Sequence, residues 1–417
     1  MIMNTKPHQP EAQAEGCPAS PAAFAPPHRS APPRPLGLRL ALVWVMCVAA
    51  LVAVSGGCTG SVESDVRFRI NLEGFNPAEV STEQRQHLVN ATVAFFGTPD
   101  EPYVFDGTGL DAKKLQMAAG PSWSDEEGVH RGLYRKHCAH CHGISGDGAG
   151  PTAIFLNPYP RDYRPGIFKF KSTQRASKPT TADMRRILHH GIPGTAMPSF
   201  ALLHEDEIDA LIEYVKYLSI RGQTEQMLVS RLVEADEELT RDVIVEELTL
   251  VVDTWNEAES SIITPPERPP VDTPAQLAAS IDAGHKLFLA KEKSQCVNCH
   301  GPTGLGDGGD DKVYDDWNKI KLDKPAADFA LPIQRLLPRN LRLGIYRGGR
   351  RPLDIYRRIH AGINGTQMPE FGPSPSNPKG ALKAEEIWNL VDYVLSLPYE
   401  KSSRVHEPAS VAQRARF

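Results

Sequence analysis

The chain has 417 residues, with 46 Lys and Arg against 51 Asp and Glu and a formal net charge of −5 at pH 7. That length suits two or three domains, and without a basic surplus there is no electrostatic case for a nucleic-acid partner. Of its seven cysteines, four form two close pairs and three (Cys17, Cys47, Cys58) lie near the N-terminus, so the body holds no spare pair for a structural disulfide.

Residues 1–35 are rich in Pro and Ala and read as a disordered leader. Leu40–Val54 is an uncharged apolar run preceded by Arg39. It matches the core of an export signal better than a full membrane span, which needs about 20 residues. Ser55-Gly56-Gly57-Cys58 follows, and small residues leading into a Cys at this place are similar to a bacterial lipoprotein cleavage site. Ser55 stands where Leu is more usual. Residues 36–58 are therefore a signal peptide or membrane anchor, with Cys58 the candidate lipidation site. An uncleaved anchor and plain secretion are the alternatives. Residues 59–121 read as a stalk or extension, helical over Thr82–Phe95, with a turn at Phe96-Gly97-Thr98-Pro99.

Ser124-Asp125-Glu126-Glu127 resembles a helix cap with an acidic first turn, and Val129, Leu133 and Tyr134 continue at helical spacing. The next residues, Cys138-Ala139-His140-Cys141-His142, recur as Cys296-Val297-Asn298-Cys299-His300. C-x-x-C-H is the attachment sequence of c-type haem. Two thiols add across the two vinyl groups of one porphyrin, and the adjacent His lies beneath the iron. A zinc knuckle or a dithiol redox pair would use the C-x-x-C but has no need of a His after each second Cys.

More of the chain is duplicated. Pro160–Lys169 matches Pro338–Arg347, and Arg186–Phe200 matches Arg357–Phe371 without a gap. Each second run carries Gly-Thr-x-Met-Pro, centred on Met197 and Met368. Two copies of one small domain follow from this repeat. Arg161 and Arg339 are candidates to fork onto haem propionates, a surface turn being the alternative. His189 and His360 are rival ligands, read as packing residues, as is His140 inside the first motif. Helices are predicted over Ser280–Phe288, His204–Leu218 and Lys383–Leu397, the last two with apolar residues three and four apart. Residues 223–275 form an acidic linker. Around Val243–Val252 an amphipathic helix and a strand pair are both open readings, and Thr264–Pro274 is a Pro-rich spacer. The second copy carries an insert between His300 and Pro338 with Tyr314 and Trp317, and residues 401–417 are a tail.

These motifs resemble the class I cytochromes c, arranged as a membrane-tethered dihaem protein, over Ser124–Gly222 and about Gln276–Glu400. The resemblance implies an all-α fold of two tandem domains, 122–222 and 276–400, each with one covalently attached haem c. It implies axial iron ligands His142 with Met197 and His300 with Met368. It implies a Pro carbonyl as acceptor for the proximal His: Pro151 in the first copy, with no counterpart in the second. The implied function is electron transfer on the periplasmic side of a bacterial membrane. The redox partners would be a quinol-oxidising complex or a dehydrogenase on one side and a terminal oxidase on the other. The alternatives are a dihaem redox enzyme (a peroxidase or a sulfur-compound dehydrogenase) and a haem-bearing subunit of a terminal oxidase complex. The same Gly-Thr-x-Met-Pro pattern in both copies speaks against an enzyme, which needs one exchangeable ligand. If Cys58 is lipidated, globomycin should leave an uncleaved precursor on a denaturing gel; normal processing in its presence would favour the uncleaved anchor.

Overall fold

In the computed structural model, residues 68–72, 74–309 and 331–400 are described. The leader, the signal or anchor segment with Cys58, Tyr314 and Trp317 of the insert, and the tail lie outside the described residues. Among the described residues no helix is long and apolar enough to cross a membrane.

The first helix, α1 (Thr82–Phe96), starts at a reciprocal cap. Ser81 Oγ accepts from Gln84 N at 3.1 Å, and Gln84 Oε1 accepts from Ser81 N at 2.9 Å. Asp111 caps α2 (Ala112–Ala118) through Lys113 N at 2.9 Å. The helix expected from Ser124 is replaced by a ribbon: β1 (Trp123–Ser124) pairs antiparallel with β2 (His130–Arg131). Asp125 Oδ1 accepts from Val129 N at 2.7 Å, closing a turn, and Gly128 takes φ +80°. A short carboxylate bonded to nearby backbone competes with a helix start, and the glycine lets the turn win.

Helices α3 (Leu133–His137) and α4 (Ala139–His142) then carry the first Cys pair, and α5 (Thr181–His190) leads to the first Met loop. The next helix, α6 (Glu205–Val229), runs past Leu218, where the sequence reading ended it. After a π turn at Ser230–Glu234 the acidic stretch forms α7 (Arg241–Asn256), a helix rather than a strand pair. Its Ile244, Leu248, Val251 and Val252 are buried in the first core. Residues 264–272 have no regular secondary structure. The second copy contains α8 (Pro274–Leu289), α9 (Cys296–His300), α10 (Pro352–Ala361) and α11 (Ala384–Ser396).

Two hydrophobic cores result, one per copy. The first gathers Leu88, Phe96, Leu115, Leu133, Tyr134 and Ile208 around α6. Residues ahead of the first haem motif thus belong to this core, and Tyr217 on α6 donates to Phe96 O at 2.8 Å. The second core centres on Phe288, Tyr356, Trp388 and Val391. There α8 crosses α11 so closely that a Cβ on Gly284 would lie 2.0 Å from Asn389 O. Gly284→Ala should therefore cost the second domain roughly 1–3 kcal/mol through forced separation of the helices. Denaturant unfolding would read the loss, and an unchanged midpoint would mean the crossing is looser than described.

Candidate functional site

Cys138 caps the start of α4 and Cys141 lies within it three residues on, with His142 next. Both thiols are free, as are those of Cys296 and Cys299 on α9. Burial pushes the Cys138 thiol up to about 12 and raises that of Cys296 in the same sense. Cys138, Cys141 and His142 line a cavity of about 270 Å³, walled by apolar residues such as Leu188 and Val215. Cys296, Cys299 and His300 line a second, of about 350 Å³.

The two His rings are held alike. His142 Nδ1 donates to Arg161 O at 2.9 Å, and His300 Nδ1 donates to Arg339 O at 3.1 Å. A carbonyl can only accept, so each ring carries its proton on Nδ1 and turns the Nε2 lone pair outward. The acceptor is thus the Arg carbonyl of the repeated Pro-Arg block, not Pro151. This also supplies the second copy, which has no such Pro. Burial lowers the pKa of His142 to about 4, opposed by the bond to Arg161 O, and lowers that of His300 likewise. Both imidazoles are therefore neutral at pH 7, the form that ligates a metal. Tyr163 stacks on His142 at 4.5 Å.

Met197 lines the first cavity and Met368 the second, each in a loop tied by its own Thr. Thr195 Oγ1 donates to Ile192 O at 2.8 Å and accepts from Met197 N at 3.2 Å. Thr366 Oγ1 does the same with Ile363 O at 2.8 Å and Met368 N at 3.2 Å. The Met carbonyls accept from Ile192 N at 3.1 Å and Ile363 N at 3.2 Å. The shared Thr of Gly-Thr-x-Met is thus the tie that sets each Met in place.

The rival His residues stand elsewhere. His189 lies 3.1 Å from Glu205 and His360 stacks on Tyr356, and neither lines either of these two cavities. His140 does line the first. So does His137, which the sequence reading passed over. Its Nε2 is buried without a hydrogen-bond partner among the described residues, and its ring meets Phe200 edge-on at 6.0 Å. Gln295 takes its place in the second copy, so the repeat gave no signal for it. Arg161 and Arg339 line their own cavities and also reach the other copy. A Cβ on Gly194 would lie 2.1 Å from Arg339 Nη2, and one on Gly365 3.3 Å from Arg161 Nη1.

Among the described residues no group of three or more His, Cys, Asp or Glu could hold a bare metal ion, so the zinc-knuckle alternative has no ligand set there. A haem fits the residues better: paired thiols, a neutral His fixed by Nδ1, a thioether lining the same space and an apolar wall. The family description of cytochrome c matches residues 131–219 and 281–398. Both segments are cytochrome c domains. Such domains imply covalently bound haem c and haem-based electron transfer, and the two matched segments support a dihaem cytochrome c. Among curated proteins nothing matches the chain significantly. Among solved structures, a chain of the reducing HAO-like protein complex of Kuenenia stuttgartiensis is 28% identical, over 66% of this chain and 97% of that chain, with a TM-score of 0.44. At that score the likeness carries no argument about shape.

Replacing Cys138 and Cys141 together by Ser should cut covalent haem from two per chain to one, counted as the pyridine haemochrome. Retention of both haems would mean that these thiols are not the attachment points.

Proposed function

We propose that the protein is an electron carrier, not an enzyme, built from two class I cytochrome c domains with His/Met-ligated haems. Thioether links at Cys138 and Cys141, and at Cys296 and Cys299, hold the two groups. His142 with Met197, and His300 with Met368, would hold the two irons. The observation that carries this reading is the matched site architecture: in both copies a carbonyl-tied His and a Thr-tied Met line one apolar cavity.

Bound haem supplies one-electron Fe(III)/Fe(II) cycling. The chain's residues do the rest. The Arg161 and Arg339 carbonyls orient the imidazoles and raise their basicity. The Met thioethers favour ferrous iron and raise the potential relative to a second imidazole. The apolar walls exclude water from the ring edge. A peroxidase or sulfur-compound dehydrogenase needs one exchangeable sixth ligand, and the same Thr-tied Met loop in both copies favours the carrier.

The chain is exported and, through lipid on Cys58 or an uncleaved anchor, tethered on the periplasmic side of a bacterial membrane. Tethering raises the effective concentration of partners in that membrane. Those partners are a quinol-oxidising complex or dehydrogenase as donor and a terminal oxidase as acceptor, either in passing or as a fixed complex.

An equilibrium redox titration followed by optical spectroscopy tests the ligands. Met197→Ala and Met368→Ala should each lower one of two potentials by on the order of 0.1 V, well inside the roughly 0.8 V that axial ligands span. Two unchanged potentials would refute Met ligation. A wild-type haem that is high-spin and reacts with peroxide or carbon monoxide would put the enzyme reading first.

A further inference from the structure

The two cavities have a wall in common: Lys169, Phe170 and Arg347 line both. Lys169 and Arg347 occupy the same place in the repeat, each following an aromatic residue, Phe168 and Tyr346. The duplication has therefore brought two equivalent cations to one seam.

The wall is tightly built. Phe170 packs on Gly348, where a Cβ would lie 2.6 Å from its ring and φ is +81°. The Arg347–Gly349 turn is held from both copies. Arg186 Nη1 of the first donates to Gly348 O at 2.7 Å. Arg358 of the second donates to Arg347 O at 2.8 Å and to Gly349 O at 2.6 Å. Behind Phe170 lies a small pocket lined by Lys171, Arg186, Arg357 and Arg358; against these stand two acids, Asp354 in the pocket and Asp183 of the first cavity wall, whose charge acts on Lys171 and Arg357. The seam thus carries a surplus of positive charge in partly desolvated surroundings, where burial drives the pKa of Arg358 down to about 10. Haem brings carboxylates of its own, its two propionates.

We propose that Lys169 and Arg347 are shared cations of both haem sites, pairing with haem carboxylates at the seam and acting on both irons at once. The proposal rests on the dihaem reading. It makes the two domains one electrostatic unit rather than two independent cytochromes on a string. A cation near an iron favours the reduced, less positive state. Removing it lowers the potential, and removing a shared one lowers both.

The test is a redox titration of the full-length matured protein carrying Lys169→Gln or Arg347→Gln, with haem counted in each variant. Each substitution should shift both Fe(III)/Fe(II) equilibria toward ferric by about tenfold, which is about 59 mV for a one-electron couple. Lys169→Arg and Arg347→Lys keep the charge and should keep both potentials near the wild-type values, which separates charge from packing. A shift confined to the haem of the substituted domain, or no shift, overturns the proposal. So do equal shifts in the charge-keeping variants. A wild-type chain lacking one haem would overturn the dihaem reading as well, so the two failures are distinguishable.

Discussion

In each copy the bond from Nδ1 of the His that follows the Cys pair to an Arg carbonyl organises everything around it. An imidazole free to rotate would present its lone pair to the cavity only part of the time. The carbonyl that holds it must itself be held, and the same backbone bonds do this twice. Tyr163 N donates to Gly146 O and Leu341 N to Gly304 O, both at 2.8 Å, docking the Pro-Arg block onto the loop after the Cys pair. Gly148 N donates to His142 O at 2.8 Å and Gly306 N to His300 O at 2.9 Å, closing that loop on the helix that bears the His. The Pro-Arg block is therefore duplicated for a backbone reason at least as much as for its side chain.

That is why the sequence named the block without finding its main use. A carbonyl's role leaves no side-chain signature, so Arg161 and Arg339 read as propionate forks while the His acceptor was looked for at Pro151. Side-chain chemistry and period were easier. The two His, the two Met and the repeats around them were legible, and α11 follows its apolar spacing closely. Errors arose where local signals conflict. Ser124 to Glu127 has the composition of a helix start, and one glycine and the Asp125 carboxylate bonded to Val129 N make it a ribbon. The acidic α7 hid its apolar face among surface carboxylates, and α2 is too short for periodicity to show. The common wall could not be read at all, because it joins residues far apart in the chain.

Each core borders a cavity walled mainly by apolar side chains. Small domains bury little surface relative to their size and are marginal without added staples. In the second copy Phe288, Leu341, Ile355 and Leu390 serve both the core and the cavity wall. Filling that space joins packing to chemistry: the same side chains that keep water from the ring complete the fold when the ring is present.

The second Met loop is also held from outside its own domain. Arg175 of the first copy donates to Met368 O at 2.7 Å and to Thr366 O at 3.4 Å, and Asn364 donates back to Arg175 O. A chain emerges N-terminus first, in synthesis and in export alike, and domains generally fold in that order. The clamp is therefore made before the loop that it grips. Biogenesis acquires a direction: the leading domain is a template against which the trailing Met loop is set, and a trailing domain expressed alone lacks part of its own mould.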